Sequence, residues 1–260
     1  MYRKLRRLWV PTSSARAGRA LRTLLDRLVV PTCAFCGSDD DAWPICRPCR
    51  LDLPWVRMAC PRCARPLATG QHRSIACGRC QRRPPPFTRA YAPLHYMFPV
   101  DAAIRALKFR ADLPYAPALA ELLVPAVRRE AACWDALVPV PLHRWRQALR
   151  GFNQAREIAT WLSRRVGLPV VELAQRHRRT SPQSTLPARR RRANVCGAFR
   201  VRSTRPPERI LLIDDVMTTG ETCGELARVL YSAGVSKVGV ACVARATPGS
   251  AQAGRAGSNV

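Results

Sequence analysis

Two groups of residues in this 260-residue chain could do chemistry, and they lie far apart. In the first, "ILLIDDVMTTGET" (210–222), an aliphatic run leads into two adjacent carboxylates, Asp214 and Asp215, and then into Thr218, Thr219, Gly220, Glu221 and Thr222. Two like charges side by side repel unless a ligand or solvent answers them. In an open α/β sheet such a loop lies beyond the carboxyl end of a strand and opens a helix, where converging amides and the helix dipole favour an anion. Gly220 lets the backbone approach closely, and the threonine hydroxyls can donate to phosphate oxygens. The two carboxylates can accept hydrogen bonds from vicinal sugar hydroxyls, so the ligand class is a ribose phosphate. The plain alternative is that Asp214 caps a loop and Asp215 is solvated.

The second group is a set of Cys-x-x-Cys pairs: Cys33/Cys36, Cys46/Cys49, Cys60/Cys63 and Cys77/Cys80, eight of the twelve cysteines. Each pair brings two thiolates onto one tight turn, and two turns complete a tetrahedral four-sulfur site for Zn²⁺. Four pairs supply two structural zincs. Four sulfurs leave no open position, which excludes catalytic zinc. Sequential and interleaved pairings use the same residues and both remain open at this level. Cys133, Cys196, Cys223 and Cys242 stand alone and read as small buried side chains.

The elements that must position these groups follow from composition and period. The hydrophobic content of 47% supports one substantial core and a smaller appended module. The segment 1–30 is basic and amphipathic, with Leu21, Leu24, Leu25 and Leu28 at helical spacing; it either packs on the fold or touches a membrane surface peripherally. Residues 31–83 form the zinc module, and "RRPPPF" (82–87) reads as a stiff joint. From 89 to 245 apolar strands ("DALVPVPL", "RILLID", "SKVGVACVAR") alternate with amphipathic helices ("VDAAIRALKFR", "LAELLVPAVRR", "NQAREIATWLSRRVG", "ETCGELARVLYSAG"). That alternation predicts an α/β fold with a mostly parallel sheet covered on both faces. The polar tail 246–260 is expected to be disordered. No apolar run is long enough for a membrane span and no secretory signal pattern is present, so the expected location is cytoplasmic.

Here the chain resembles a known family. "ILLIDDVMTTGET" is similar to the PRPP-binding motif of type I phosphoribosyltransferases, and no Gly-Lys-Ser/Thr follows as in a nucleotide P-loop. With the cysteine pairs, "VPVPLH", "RGFNQA", "TSPQ" and "NVCGAF", the chain resembles the ComF family, the competence-type relatives of amidophosphoribosyltransferases. The resemblance implies a type I phosphoribosyltransferase-like sheet preceded by a double zinc ribbon. It implies that Asp214 and Asp215 hold the ribose hydroxyls as the catalytic pair, and that Val216 to Thr222 (Val216, Met217, Thr218, Thr219, Gly220, Glu221, Thr222) form the PRPP loop. Pro139, Val140 and Pro141 would be the pyrophosphate loop, Arg150 would meet the diphosphate, and Mg²⁺ would accompany it. No base-reading segment follows the last strand.

Charge divides the functional readings. Lys+Arg is 44 against Asp+Glu 17, a formal net charge of +27, and all but Lys4, Lys108 and Lys237 of the basic residues are arginine. Such a balance suits a polyanion, although arginine spread over a surface can also be background. Between Leu173 and Pro207 there is no acid, while Arg178, Arg179, Arg189, Arg190, Arg191 and Arg192 cluster where type I folds carry a hood over the active site. Together with Trp43, Trp55 and Phe87 as stacking surfaces, they suggest single-stranded nucleic acid. The resemblance implies handling of single-stranded DNA during uptake, alongside PRPP and the DNA-uptake machinery. The alternative is an active phosphoribosyltransferase that moves phosphoribosyl from PRPP to a nucleobase or related acceptor. Glutamine-dependent amidotransfer is disfavoured, because position 2 is Tyr2 and supplies no cysteine nucleophile.

Overall fold

The computed structural model describes residues 32–39, 43–68, 75–178 and 195–247. The expectations for 1–30 and 248–260, and for Arg179 and Arg189 to Arg192, lie outside the described residues. Among the described helices none is long and apolar enough to cross a membrane.

Among the described residues five strands make one sheet: β1 (Arg89–Tyr91), β2 (Leu94–His95), β3 (Ala136–Pro139), β6 (Arg209–Met217) and β7 (Lys237–Arg245). Every pairing is parallel, in the order β1, β7, β6, β3, with β2 continuing the lane of β1 along β7. The expected mostly parallel sheet is therefore present. Its strands are apolar on both sides because both faces are covered. Leu211 and Ile213 of β6 face one core with α3 (Val100–Arg110), α4 (Tyr115–Arg128) and α6 (Gln154–Val166). Ile210 and Leu212 face the other core with α7 (Glu221–Ser232). Alternating side chains thus feed two layers, as the period of a strand requires.

The helices follow their sequence signals. Asn153 caps α6 through a side-chain bond to Ala155 N at 3.0 Å, and Gly167 ends it at φ 78°. Gly239 of β7 has a steric reason to be glycine: an added Cβ would lie 2.4 Å from Cη2 of Trp134, which packs across the strand. Two elements fall outside the apolar pattern. One is α5 (Arg144–Arg150), which buries no residue. The other is an antiparallel pair of β4 (Ala174–Arg176) with β5 (Phe199–Val201), which holds the two described ends of the arginine-rich segment.

The "RRPPPF" stretch does not act as a free joint. Phe87 is 1% exposed, and the Pro86 ring lies against Gly224 of α7. The cysteine-rich part is hydrogen-bonded to the sheet edge: Val56 N donates to Pro93 O at 2.7 Å and His95 N to Pro54 O at 2.9 Å, with a Trp55–Leu94 bridge between them. Phe87 is consequently unavailable as a stacking surface. Trp55 is half-buried and donates its Nε1 hydrogen to Arg50 O at 2.8 Å, whereas Trp43 stays partly exposed with its ring edge against Trp161.

Candidate functional site

At the carboxyl end of the sheet lies a cleft of about 1620 Å³, walled by the α3–α4 connection, the β3–α5 turn, α5 and the β6–α7 loop. The sequence placed the end of the strand at the carboxylates. In fact β6 continues through them, with Asp214 paired to Cys242 and Val216 to Ala244 of β7, and ends at Met217. Pleating therefore sends the two acids to different environments. Asp215 is 2% exposed and sits 2.6 Å from Lys108 Nζ, a residue of α3. Asp214 stays partly open to the cleft. The reading in which Asp215 is solvated does not hold.

Burial, and then the charge of Asp215, push Asp214 up to about 8. Lys108 is held above its ordinary value: burial pulls it down, and the carboxylates of Asp215 and Asp214 outweigh that pull. Because the Asp214 shift is upward, its contribution to stability is full at low pH and is lost as pH rises towards 8.

Thr218, Gly220, Glu221 and Thr222 line the cleft. Gly220 is the N-cap of α7 at φ 82°, a conformation that favours glycine, and it offers no side-chain cap to the first-turn amides. That leaves the dipole end of a twelve-residue helix pointing at the loop. On the opposite wall, Val140 N donates to Ile213 O at 2.9 Å and Val140 O accepts from Asn153 Nδ2 at 3.1 Å, which fixes the β3–α5 turn against β6. Val140, Pro141 and Arg150 line the cleft with Val216 and Met217, while Pro139 and Thr219 are not among its lining residues.

Sequence reasoning did not place Lys108, Arg146 or Arg176 in the cleft. These three, with Arg110 and Arg150, set five cations against Asp112, Asp214, Asp215 and Glu221 in the lining. Arg176 is buried and is pushed down to about 10 by burial and then by the like charge of Arg146. The only available signal for Lys108 was its rarity, since it is one of three lysines in an arginine-rich chain. The rim is apolar and aromatic: Phe109 is 74% and Leu149 72% exposed, and the Arg150 guanidinium lies 5.7 Å from the Phe109 ring centre. Of the clustered arginines Arg178, Arg179 and Arg189 to Arg192, Arg178 alone is described; its Nη1 donates to Cys196 O at 3.1 Å.

The cysteines gather into two sets, Cys33/Cys36/Cys46/Cys49 and Cys60/Cys63/Cys77/Cys80, with the ligand atoms of each within 4.8 Å of one another. Pairing is sequential. Cys46 and Cys77 are the N-caps of α1 (Arg47–Asp52) and α2 (Gly78–Arg82), so each second pair opens a short helix. Backbone amides point at sulfur, Cys46 N to Cys33 Sγ at 3.4 Å and Cys77 N to Cys60 Sγ at 3.3 Å. Burial raises the Cys60 thiol, but amide donors from Cys77, Cys63 and Arg62 outweigh it and hold it at about 7. Four thiols converging on one point, with amides favouring the thiolate form, fit a structural Zn²⁺ in each set.

A mostly parallel α/β sheet with a cleft at its carboxyl end, joined to two four-cysteine sets, defines an α/β protein with a double zinc-binding module. Residues 24–81 match the family described as "Double zinc ribbon domain". "DNA utilization protein YhgH" of Escherichia coli (strain K12) is 35% identical over 209 residues, covering 78% of this chain and 91% of that protein. "Competence protein F" of Haemophilus influenzae is 31% identical over 223 residues, covering 82% and 90%. The chain belongs to the ComF family. Solved structures match about half of the chain. The orotate phosphoribosyltransferase from Aeropyrum pernix gives a TM-score of 0.32 at 22% identity, over 52% of this chain and 60% of that one. The purine phosphoribosyltransferase from Pyrococcus horikoshii gives 0.31 at 16%, over 50% and 73%.

Proposed function

We propose that this protein handles single-stranded DNA in the cytoplasm during uptake and that its sheet domain binds PRPP in the cleft. The observation that carries the reading is the continuity of two kinds of surface. Asp214, the β6–α7 loop and the α7 N-terminus, which would seat a sugar phosphate, line the same cleft as Phe109, Leu149, Arg110, Arg146 and Arg150. An exposed ring flanked by arginines can stack an unpaired base and meet a phosphate backbone. The names of the relatives, a DNA utilization protein and a competence protein, point the same way.

In this reading the loop amides of Thr218 to Thr222 hold the 5′-phosphate and Asp214 accepts the ribose hydroxyls. Asp215, fixed by Lys108, keeps the strand end rigid and sustains the negative potential. The diphosphate lies towards the β3–α5 turn, where Val140, Pro141 and Arg150 face it. Mg²⁺ would arrive with the diphosphate and neutralise part of its charge.

The test is fluorescence anisotropy of a single-stranded oligonucleotide across a salt series, with and without PRPP and Mg²⁺. Phe109→Ala is expected to weaken binding by about 1–3 kcal/mol through lost base stacking. Arg146→Glu is expected to lower affinity and flatten the salt slope by about one unit. If the unmodified protein binds weakly, without salt dependence and without response to PRPP, phosphoribosyl transfer to a small acceptor becomes the better reading.

A further inference from the structure

Arg245 closes β7 and is 2% exposed, yet among the described residues no carboxylate pairs with it. A guanidinium so deeply buried needs hydrogen bonds and a counter-charge. Besides Nη1 donating to the neighbouring Ala246 O at 3.1 Å, its hydrogen bonds go to carbonyls from two distant parts of the chain. Nε donates to Cys63 O at 3.0 Å, whereas Nη1 donates to Met217 O at 2.7 Å and also to Thr218 O. One planar fork therefore spans the second cysteine knuckle and the start of the β6–α7 loop. The negative charge on the far side of the Cys63 contact is that knuckle, since a Zn²⁺ held by four thiolates carries a net charge of −2 by formal count.

One further contact joins the same partners, and a second comes from the segment that follows the knuckle. Arg79, which stands between Cys77 and Cys80 on α2, reaches Glu221 Oε1 at 3.4 Å, and Glu221 is the first residue of α7. Phe87 Cζ lies 3.7 Å from where a Cβ on Gly220 would stand. The first cysteine set is attached elsewhere: Trp43 packs on Trp161 of α6, and Phe35 on Tyr115 of α4. The two metal sites thus differ in what they support.

We infer that Arg245 is a positioning residue through which the second zinc site, and not the first, frames the anion loop, so that metal at Cys60/Cys63/Cys77/Cys80 and an anionic ligand at the loop bind cooperatively. The identity of that ligand as PRPP rests on the reading above; the mechanical link does not. Loss of metal frees the Cys63 carbonyl and removes the counter-charge of Arg245, and the Thr218 carbonyl then loses its anchor while Met217 O keeps only its bond from Ala246 N. By linkage, a ligand that orders the loop must retain the metal to the same degree.

The first arm of the test needs no ligand. Hydrogen exchange is measured on the zinc-loaded full chain as wild type, Arg245→Met and Arg79→Ala. In Arg245→Met, amides of 61–66 and of 216–222 are expected to exchange faster together, by about tenfold, with 43–50 and β3 unchanged. Arg79→Ala, which removes an exposed pair and is expected to fold, should give a smaller rise confined to the same two segments. A rise in one segment without the other, or in neither, overturns the inference.

The second arm follows zinc release to a chromophoric chelator with and without saturating PRPP and Mg²⁺, with calorimetry confirming occupancy. The two sites should release in separate phases, and PRPP should slow one of them about fivefold or more while leaving the other as an internal control. In Arg245→Met the slowing should vanish. Confirmed PRPP binding with both phases unchanged overturns the coupling. Absence of PRPP binding overturns the proposed ligand instead, and the exchange arm then decides the link alone.

Discussion

Removing zinc from both cysteine sets is expected to unfold the ribbon and to destabilise the sheet behind it. Structural zinc in small modules contributes on the order of 10 kcal/mol of apparent folding free energy per site at neutral pH. Little else replaces it here: the interior of the second knuckle is Cys60, Cys63 and Cys80 with Leu67, Ala76 and Cys77 against them, a core made largely of ligands. The ribbon also covers an edge. Once residues 54–61 detach, the Val56–Pro93 and His95–Pro54 hydrogen bonds are lost and the β1/β2 lane is exposed. Stoichiometric metal analysis with thermal melts, before and after a strong chelator, should show two zincs lost, new tryptic cleavage between Arg57 and Arg65, and a lower midpoint for the sheet. An unchanged midpoint and unchanged protease resistance in metal-free protein would contradict the structural role.

The second large effect belongs to Lys108. Its ammonium lies 2.6 Å from a carboxylate whose side chain is 3% exposed, and it is itself three-quarters covered. Removing one member of a buried pair leaves the other charge unanswered, at a cost of about 3–5 kcal/mol, whereas removing both leaves no such orphan. Lys108→Met should therefore lower stability in urea by about 3 kcal/mol. Adding Asp215→Asn should recover a substantial part, so that the double variant is more stable than the sum of the single losses allows. Strict additivity would show that the pair carries no coupling. Arginine at 108 is not an equivalent replacement, because its planar fork cannot occupy the place of a compact ammonium.

Some of this was legible in the sequence because the governing interactions are local. The β6–α7 loop was found because an aliphatic run, two acids, small hydroxyl residues and glycine occur in unbroken order, and the cysteine sets because Cys-x-x-Cys is a local constraint on metal geometry. Helix α6 was marked by its apolar period and by Gly167, while its cap Asn153 was not read. What escaped depends on contacts distant in sequence. Lys108 meets Asp215 across more than a hundred residues, and Arg245 meets Cys63 across a still longer separation. The proline run looked like a joint because composition reports stiffness and says nothing of what a segment packs on; Phe87 and Pro86 turn out to lie against the α7 end of the loop. The strand end was placed too early because acids usually signal a loop. Parallel pairing with β7 on one side holds both carboxylates in the sheet. Helix α5 buries none of its residues, so it has no apolar period to read.

The most direct measurement is calorimetric titration of PRPP with Mg²⁺ at several pH values between about 6.5 and 9. With Asp214 pushed up to about 8, the charged form that accepts ribose hydroxyls must be generated below that pH by losing a proton. Affinity should therefore rise by up to about tenfold per pH unit until about 8 and then level. Binding should saturate at one ligand per chain, and Asp214→Asn should weaken it and flatten the profile. Absence of saturable binding at any pH, or a profile that persists unchanged in Asp214→Asn, would contradict the assignment of this cleft to PRPP.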